Sequence, residues 1–108
     1  MSTELPRPVA DYLAAERDKD ADALALCFAD EAVVRDEGRT HRGPDAIRAW
    51  KKDADAKYHY VMEPLDAAVG ESGVKLRARL TGDFPGSPVE LQFAFTLADD
   101  KILSLEIH

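Results

Sequence analysis

The chain has 108 residues, of which 45% are hydrophobic and 32% are charged. This length can enclose one hydrophobic core but not two, so we expect a single domain over residues 1–108. Fourteen Lys and Arg against 21 Asp and Glu leave a formal net charge of −7. Because this excess of negative charge repels phosphate groups, the composition argues against nucleic acids and anionic membranes as partners.

Cysteine and histidine usage gives little sign of a disulfide or a metal. The one cysteine, Cys27, has no partner for an internal disulfide, which favours a reducing compartment. The three histidines (His41, His59 and His108) lack the spacing of a zinc site, and the glycines form no nucleotide-binding motif. The N-terminus is polar and no apolar run could span a membrane, so the sequence predicts a cytoplasmic protein without cofactor or metal.

Three segments of the first half have apolar residues at helical spacing. Pro8 suits the first turn of a helix that continues to about residue 17, and Asp20 suits the N-cap of a second helix. Pro44 opens the third helix, with Asp45 in its first turn. The three apolar stripes are Val9, Tyr12 and Leu13; Leu24, Cys27 and Phe28; and Ile47, Trp50 and Ala54.

The second half alternates apolar and polar residues, which is typical of half-buried strands. A short strand is predicted at 32–36, followed by a turn at Glu37-Gly38 and a returning strand at 39–41. Longer strands are predicted at 58–69 with an irregularity near Pro64, then at 74–81, 89–97 and 101–108. The last of these places Leu103, Leu105 and Ile107 on one face. Helices early and antiparallel strands late predict an α+β fold.

This order of elements resembles the SnoaL-like and ketosteroid isomerase-like branch of the nuclear transport factor 2-like superfamily. The resemblance extends over about residues 9–107, and its motifs are DYLA at 11–14, FADEAVVRD at 28–36, HRG at 41–43 with AIRAW at 46–50, and the late strands. It implies a cone, in which three helices close one side of a strongly curved antiparallel sheet around an apolar pocket. It also implies a homodimer through the outer face of the sheet.

Two residues carry the chemistry that the resemblance implies. Asp36 matches the aspartate that acts as general base in ketosteroid isomerases, and Tyr12 matches the tyrosine that donates a hydrogen bond to the substrate oxygen. A carboxylate at the mouth of an apolar pocket has a raised pKa, which makes it a usable base. The alternatives are an exposed Asp36 that caps the Glu37-Gly38 turn, and a Tyr12 that only packs in the core.

A third polar group of the isomerases is missing from the sequence. Those enzymes complete the oxyanion hole with a protonated aspartate, and Phe93 stands at the matching position. Authentic steroid isomerisation is therefore not expected. Pairing Asp36 with Arg77 or Arg79, as in the related epoxide hydrolases, is disfavoured because both arginines alternate with the apolar face. His59 remains a second candidate for proton transfer, against a surface or interface role.

The preferred function is a small cofactor-free enzyme that moves a proton on an apolar carbonyl-bearing metabolite, as an isomerase or polyketide cyclase does. The alternative is a domain of the same fold that binds a small ligand without turnover or serves for dimerisation. For the dimer, the polar outer row that contains Arg77, Glu90 and Gln92 is the predicted interface. The residues predicted to shape the pocket wall are Phe28, Val34, Trp50, Met62, Phe93 and Phe95.

Overall fold

Three helices precede most of a six-stranded sheet in the computed structural model, which describes residues 5–108. The helices are α1 (Arg7–Arg17), α2 (Ala21–Leu26) and α3 (Gly43–Tyr58). The strands are β1 (Phe28–Asp36), β2 (Arg39–Arg42), β3 (Tyr60–Val69), β4 (Gly73–Gly82), β5 (Val89–Ala98) and β6 (Lys101–Ile107). The α+β class that the sequence predicts is confirmed.

Local sequence signals explain where the helices begin and end. Pro8 lies in the first turn of α1, where the missing N–H leaves no bond unmade. The side chain of Asp20 caps α2 by accepting the backbone N–H of Ala23 at 3.0 Å. Asp45 places an acid in the first turn of α3. This helix ends at Tyr58, and the left-handed backbone of its C-cap, His59 (φ 43°), directs the chain into β3.

The second helix is shorter than predicted, and the prediction that Phe28 lies on its apolar face is wrong. Cys27 is the C-cap of α2, and its carbonyl oxygen accepts the N–H of Ile102 at 2.8 Å. Because this bond ties the chain to β6, β1 begins at Phe28 instead of at residue 32.

The strands lie in the order β2-β1-β6-β5-β4-β3, so β2 and β3 form the edges of an open sheet. The sequence predicts an antiparallel sheet, and all neighbouring strands are antiparallel except β1 and β6, which are parallel. The register shifts between Phe28 and Val33 in β1, between Pro64 and Asp66 in β3, and after Thr96 in β5. Such irregularities bend and twist a sheet, which curves it around the helices.

One of these shifts changes the buried face of β6. The sequence predicts one face made of Leu103, Leu105 and Ile107. In the structure Ile102 and Leu105 are fully buried and Leu103 is only half-buried. The shift between Thr96 and Leu97 leaves Leu103 without a partner on β5, which explains why Ile102 is buried in place of Leu103.

The core lies between the helices and the inner face of the sheet. On β4, Val74, Leu76 and Ala78 are buried, whereas the alternating Lys75, Arg77 and Arg79 are exposed on the outer face. The helices contribute buried side chains at helical spacing, including Val9 and Tyr12 of α1 and Ile47 of α3. No helix within residues 5–108 is long and apolar enough to cross a membrane.

Candidate active site

A cavity of about 440 Å³ opens between α1, α3, the end of β1 and the inner faces of β3, β4 and β5. The segment 84–86, which connects β4 to β5, forms part of the wall. The lining residues are Tyr12, Asp36, Glu37, Trp50, Ala54, Tyr58, Tyr60, Leu80, Phe84, Pro85, Gly86, Val89, Leu91, Phe93 and Ile107. The wall is mostly apolar and aromatic, with polar groups from a few side chains.

Asp36 reaches this cavity because of where β1 ends. Ala32 and Val34 are fully buried, and Asp36 shares their face of the strand by the two-residue period. Glu37 and Gly38 both have positive φ (53° and 76°) and form the two-residue turn into β2. The carboxylate is therefore the last inward-facing group of β1. Because Asp36 is the last residue before the Glu37-Gly38 turn, it lies on the cavity wall as well as next to the turn.

The environment of Asp36 favours a stronger base than an exposed aspartate. Burial raises the pKa of its carboxyl group, and the hydrogen bond from Trp50 opposes this rise. The indole Nε1 of Trp50 donates to Oδ2 of Asp36 at 3.1 Å. Among residues 5–108, no side chain hydrogen-bonds to the other oxygen, Oδ1. The Trp50 bond thus holds the carboxylate in place, and a hydrogen bond from the backbone of Glu37 also stabilises its ionised form.

Tyr12 lies on the inner face of α1 and is 1% exposed. Its ring packs edge-on against Phe28 and Phe95, with centroids 6.1 and 5.2 Å away. Burial, followed by the negative charges of Glu16 and Asp36, raises the pKa of the Tyr12 hydroxyl, so it stays protonated near neutral pH. In the described part of the chain this hydroxyl bonds to no other residue, and the side chain lines the cavity. It is a free hydrogen-bond donor for a ligand oxygen.

The six predicted wall residues separate into two groups. Trp50 and Phe93 line the cavity together with Tyr12 and Asp36. The other four are not among the lining residues, which corrects the prediction for Phe28, Val34, Met62 and Phe95. Phe28 and Phe95 pack against the Tyr12 ring inside the core, Val34 is fully buried there, and Met62 is a half-buried residue packed against the core.

Two alternative sets of catalytic residues considered from the sequence do not come together in the structure. Arg77 lies on the outer face, where it binds Asp66 and Glu90, so neither it nor the exposed Arg79 can join Asp36 in the cavity. His59 is exposed at the end of α3 and is not a lining residue. No group of three or more His, Cys, Asp or Glu within residues 5–108 could hold a metal ion.

A buried charge network beside the cavity was missed from the sequence. Lys51 of α3 is fully buried, and its Nζ lies 2.8 Å from Oε1 of Glu16 and 3.0 Å from the Tyr60 hydroxyl. It also binds Asp55 of the same helix. Tyr60 donates to the same Glu16 oxygen at 2.7 Å, and Lys19 binds the other Glu16 oxygen at 2.9 Å. Each buried charge therefore has an opposite charge, as burial requires.

The spacing of this network was visible in the sequence. Glu16 follows Tyr12 by four residues, and Lys51 follows Ile47 by four, so both charges continue an apolar stripe. A single acid on one buried stripe and a single base on another would have predicted a buried pair between α1 and α3. The network fixes Tyr60, whose side chain forms part of the cavity wall.

Comparison with known proteins identifies the class to which this cone-shaped fold belongs. A protein from Sinorhizobium meliloti described as a "putative polyketide cyclase" superposes with a TM-score of 0.93 and 44% identity, covering 96% of this chain and 95% of that one. A protein from Catenulispora acidiphila with a ketosteroid isomerase-like fold, in complex with trimethylamine, gives a TM-score of 0.84 and 22% identity over 97% and 86%. Both place the fold in the nuclear transport factor 2-like class.

The sequence profile of the SnoaL-like domain matches residues 9–105. The chain therefore belongs to the SnoaL-like domain family, as its motifs indicate. Comparison with curated proteins finds no match.

Proposed function

We propose that this protein is an enzyme that moves a proton on a small apolar metabolite with a carbonyl group, in the manner of an isomerase or polyketide cyclase. One observation carries the proposal. A partly buried carboxylate, Asp36, and a free buried hydroxyl, Tyr12, line the same apolar cavity. The 44% identity to a protein described as a "putative polyketide cyclase" supports the same reaction class.

The proposed step is proton abstraction next to the carbonyl. Asp36 takes the proton through a carboxylate oxygen, the C–H bond breaks, and the electron pair of that bond moves towards the carbonyl oxygen to form an enolate. Tyr12 donates a hydrogen bond to that oxygen while its negative charge develops. Asp36 then returns the proton to carbon, at the same or at a conjugated position. The step consumes no cofactor, and the protonated Asp36 carboxyl group exchanges its proton with solvent before it returns one to carbon.

Phe93 limits how fast this reaction can be. It lies on the cavity wall at the position where the sequence comparison expects a second donor to the substrate oxygen. Removal of one preorganised donor costs about two to three orders of magnitude in rate. We therefore expect a substrate whose α-proton is more acidic than that of a simple steroid ketone, such as a 1,3-dicarbonyl compound.

Solvent deuterium exchange tests the proposal without knowledge of the product. The protein is incubated in D2O with a panel of enolisable ketones and 1,3-diketones, and loss of the α-proton signal is followed by NMR. We expect exchange faster than in buffer for at least one compound. The Asp36→Asn variant should lower that rate by about 10²- to 10⁴-fold, since general base catalysis contributes this much.

The matched control is Asp53→Asn, which removes one carboxylate from the exposed face of α3. It should exchange at the wild-type rate. Equal rates for the wild type and Asp36→Asn would contradict the assignment of Asp36 as the base, and no exchange with any compound would count against the enzyme.

A second candidate function is ligand binding without turnover. It is favoured by Phe93, which leaves Tyr12 as the only donor assigned to the carbonyl oxygen. Trp50 is the only tryptophan of the chain and lines the cavity, so its fluorescence reports on occupancy directly. Ligands that change this fluorescence but never exchange a proton would favour the second candidate.

We propose a cytoplasmic location for either function. The single thiol, Cys27, is buried, and burial raises its pKa to about 11, so it suits a reducing compartment in which it stays a thiol. Fractionation of cells that express a tagged chain tests this location, and recovery of the protein outside the cytoplasm would contradict it.

A further inference from the structure

We propose that the ligand of this cavity carries a positive charge, as a protonated or quaternary amine. The inference rests on the proposed function, because it names the substrate class of the same site. It follows from the side chains that line the cavity, which are acidic and aromatic, and from the basic side chains of residues 5–108, which do not line it.

The charged groups on the wall all have one sign. Asp36 and Glu37 line the cavity, and none of the lining residues within 5–108 is Lys, Arg or His. The Glu37 carboxylate accepts a hydrogen bond from the Tyr58 hydroxyl at 2.7 Å, which holds it at the end of α3. A carboxylate or phosphate ligand would therefore meet two negative charges with no cation to offset them.

The two lysines of the buried network are already neutralised by other acids. Lys51 and Lys19 bind Glu16 and Asp55, so the two lysines and two acids contribute no net charge. His41 lies against the Trp50 ring, with centroids 6.2 Å apart, and is not a lining residue. The charge on the lining residues themselves is negative, and Lys57 lies outside the lining, near the Tyr58 ring.

The remaining wall suits a cation as well. Six aromatic side chains line the cavity, and a cation above an aromatic face is attracted to the electrons of the ring. Two of these rings already bind lysines: the Nζ of Lys19 lies 3.9 Å from the Tyr60 ring centroid, and that of Lys57 lies 5.1 Å from the Tyr58 ring centroid. The other four are Tyr12, Trp50, Phe84 and Phe93, and they have no lysine or arginine above them in the described chain.

A positive ligand is also compatible with Asp36 as the base. An opposite charge nearby favours the ionised carboxylate, which is the form that accepts a proton. The amine would then be held by the aromatic faces and by Glu37, while the carbonyl end of the same molecule reaches Tyr12.

Two compounds of the same shape separate charge from size. Choline and 3,3-dimethylbutan-1-ol differ only in the replacement of the quaternary nitrogen by carbon. Their dissociation constants are measured from Trp50 fluorescence at constant ionic strength. We expect choline to bind about tenfold more tightly, which corresponds to about 1.4 kcal/mol. Equal affinity, tighter binding of the alcohol, or no change with either compound would overturn the inference.

Variants locate the effect at this site. Glu37→Gln keeps an acceptor for Tyr58 and removes the charge, so it should weaken choline about three- to tenfold and leave the alcohol unchanged. Glu31→Gln, an exposed acid that does not line the cavity, is the control and should change neither. Equal losses for both compounds in Glu37→Gln would overturn the inference. Its failure is distinguishable from that of proton transfer, because deuterium exchange is read on ketones without an amine.

Discussion

The indole Nε1 of Trp50 donates a hydrogen bond to Oδ2 of Asp36 across 3.1 Å and so joins the middle of α3 to the end of β1. The bond acts on the carboxyl group in two ways. It fixes the orientation of the carboxylate. It also stabilises the ionised form, and so lowers the pKa of Asp36, whereas burial raises that pKa. A base that is both raised in pKa and held in position is what proton abstraction requires.

Replacement of Trp50 by Phe should raise the pKa of Asp36 further. The variant keeps an aromatic ring but loses the only side-chain donor that bonds to this carboxylate in the described chain. The measurement is an NMR titration of the Asp36 carboxyl carbon in both proteins. Tyr58→Phe, which removes a donor to Glu37 instead, is the control. A pKa that is unchanged or lower in Trp50→Phe would show that the bond does not tune the base.

Tyr12→Phe should slow deuterium exchange without lowering the stability of the fold. Because the Tyr12 hydroxyl bonds to no residue of the described chain, its loss should change the free energy of unfolding by less than about 0.5 kcal/mol. The rate of deuterium exchange should fall about 10²- to 10³-fold, since a donor to the enolate is lost. The comparison variant is Tyr60→Phe, whose hydroxyl bonds Glu16 and Lys51, and which should lose about 1 to 3 kcal/mol. Similar stability losses for both would contradict the assignment.

Removal of Lys51 tests the buried network. Lys51→Met removes the buried cation of Glu16 and leaves it only the partly exposed Lys19, so the free energy of unfolding should fall by about 2 to 5 kcal/mol. The double variant Lys51→Met with Glu16→Gln removes both charges and should be more stable than Lys51→Met alone. Urea denaturation of the single and double variants measures both effects. A cost below about 1 kcal/mol for Lys51→Met would mean that the pair is not buried in solution.

A homodimer remains a prediction that follows from the family resemblance. The outer face of β3, β4 and β5 is open to solvent in the single chain, with Val61 71% exposed opposite Thr81, and Arg77 and Glu90 further along the same face. Light scattering at micromolar concentration should give twice the 11.9 kDa mass of the chain. Val61→Glu on this face should then lower the mass towards that of one chain. A monomeric mass for the wild type would rule out a stable dimer.

Local patterns were sufficient to predict most of the fold. The alternation along β4 and β5 predicts their buried faces correctly. These two strands pair without a register shift, so residues such as Val74 and Phe93 stay on the face that the two-residue period gives them. Patterns within one segment could not predict the parallel pairing of β1 with β6 or the shift that buries Ile102. Both depend on hydrogen bonds between segments far apart in sequence, such as that between Cys27 and Ile102.

The candidate site was predictable only in part, for a related reason. The resemblance pointed to Tyr12 and Asp36, and helical spacing placed Trp50 on a buried stripe. Apolar character alone could not distinguish core from wall, so Phe28 and three other residues were assigned to the wall. The loop residue Phe84 and the tyrosines that end α3 and begin β3 carry no local signal for the cavity, since only the tertiary fold brings them there.

The pH dependence of deuterium exchange tests Asp36 as the base most directly. Because burial raises the pKa of this carboxyl group, the wild-type rate should rise with pH through an apparent pKa above the usual value of 3.8 and then reach a plateau. Activity is thus lost as the pH falls and Asp36 takes up a proton. Asp36→Asn should show a slow rate with no such step. A wild-type rate without the step, or the same step in Asp36→Asn, would contradict the account.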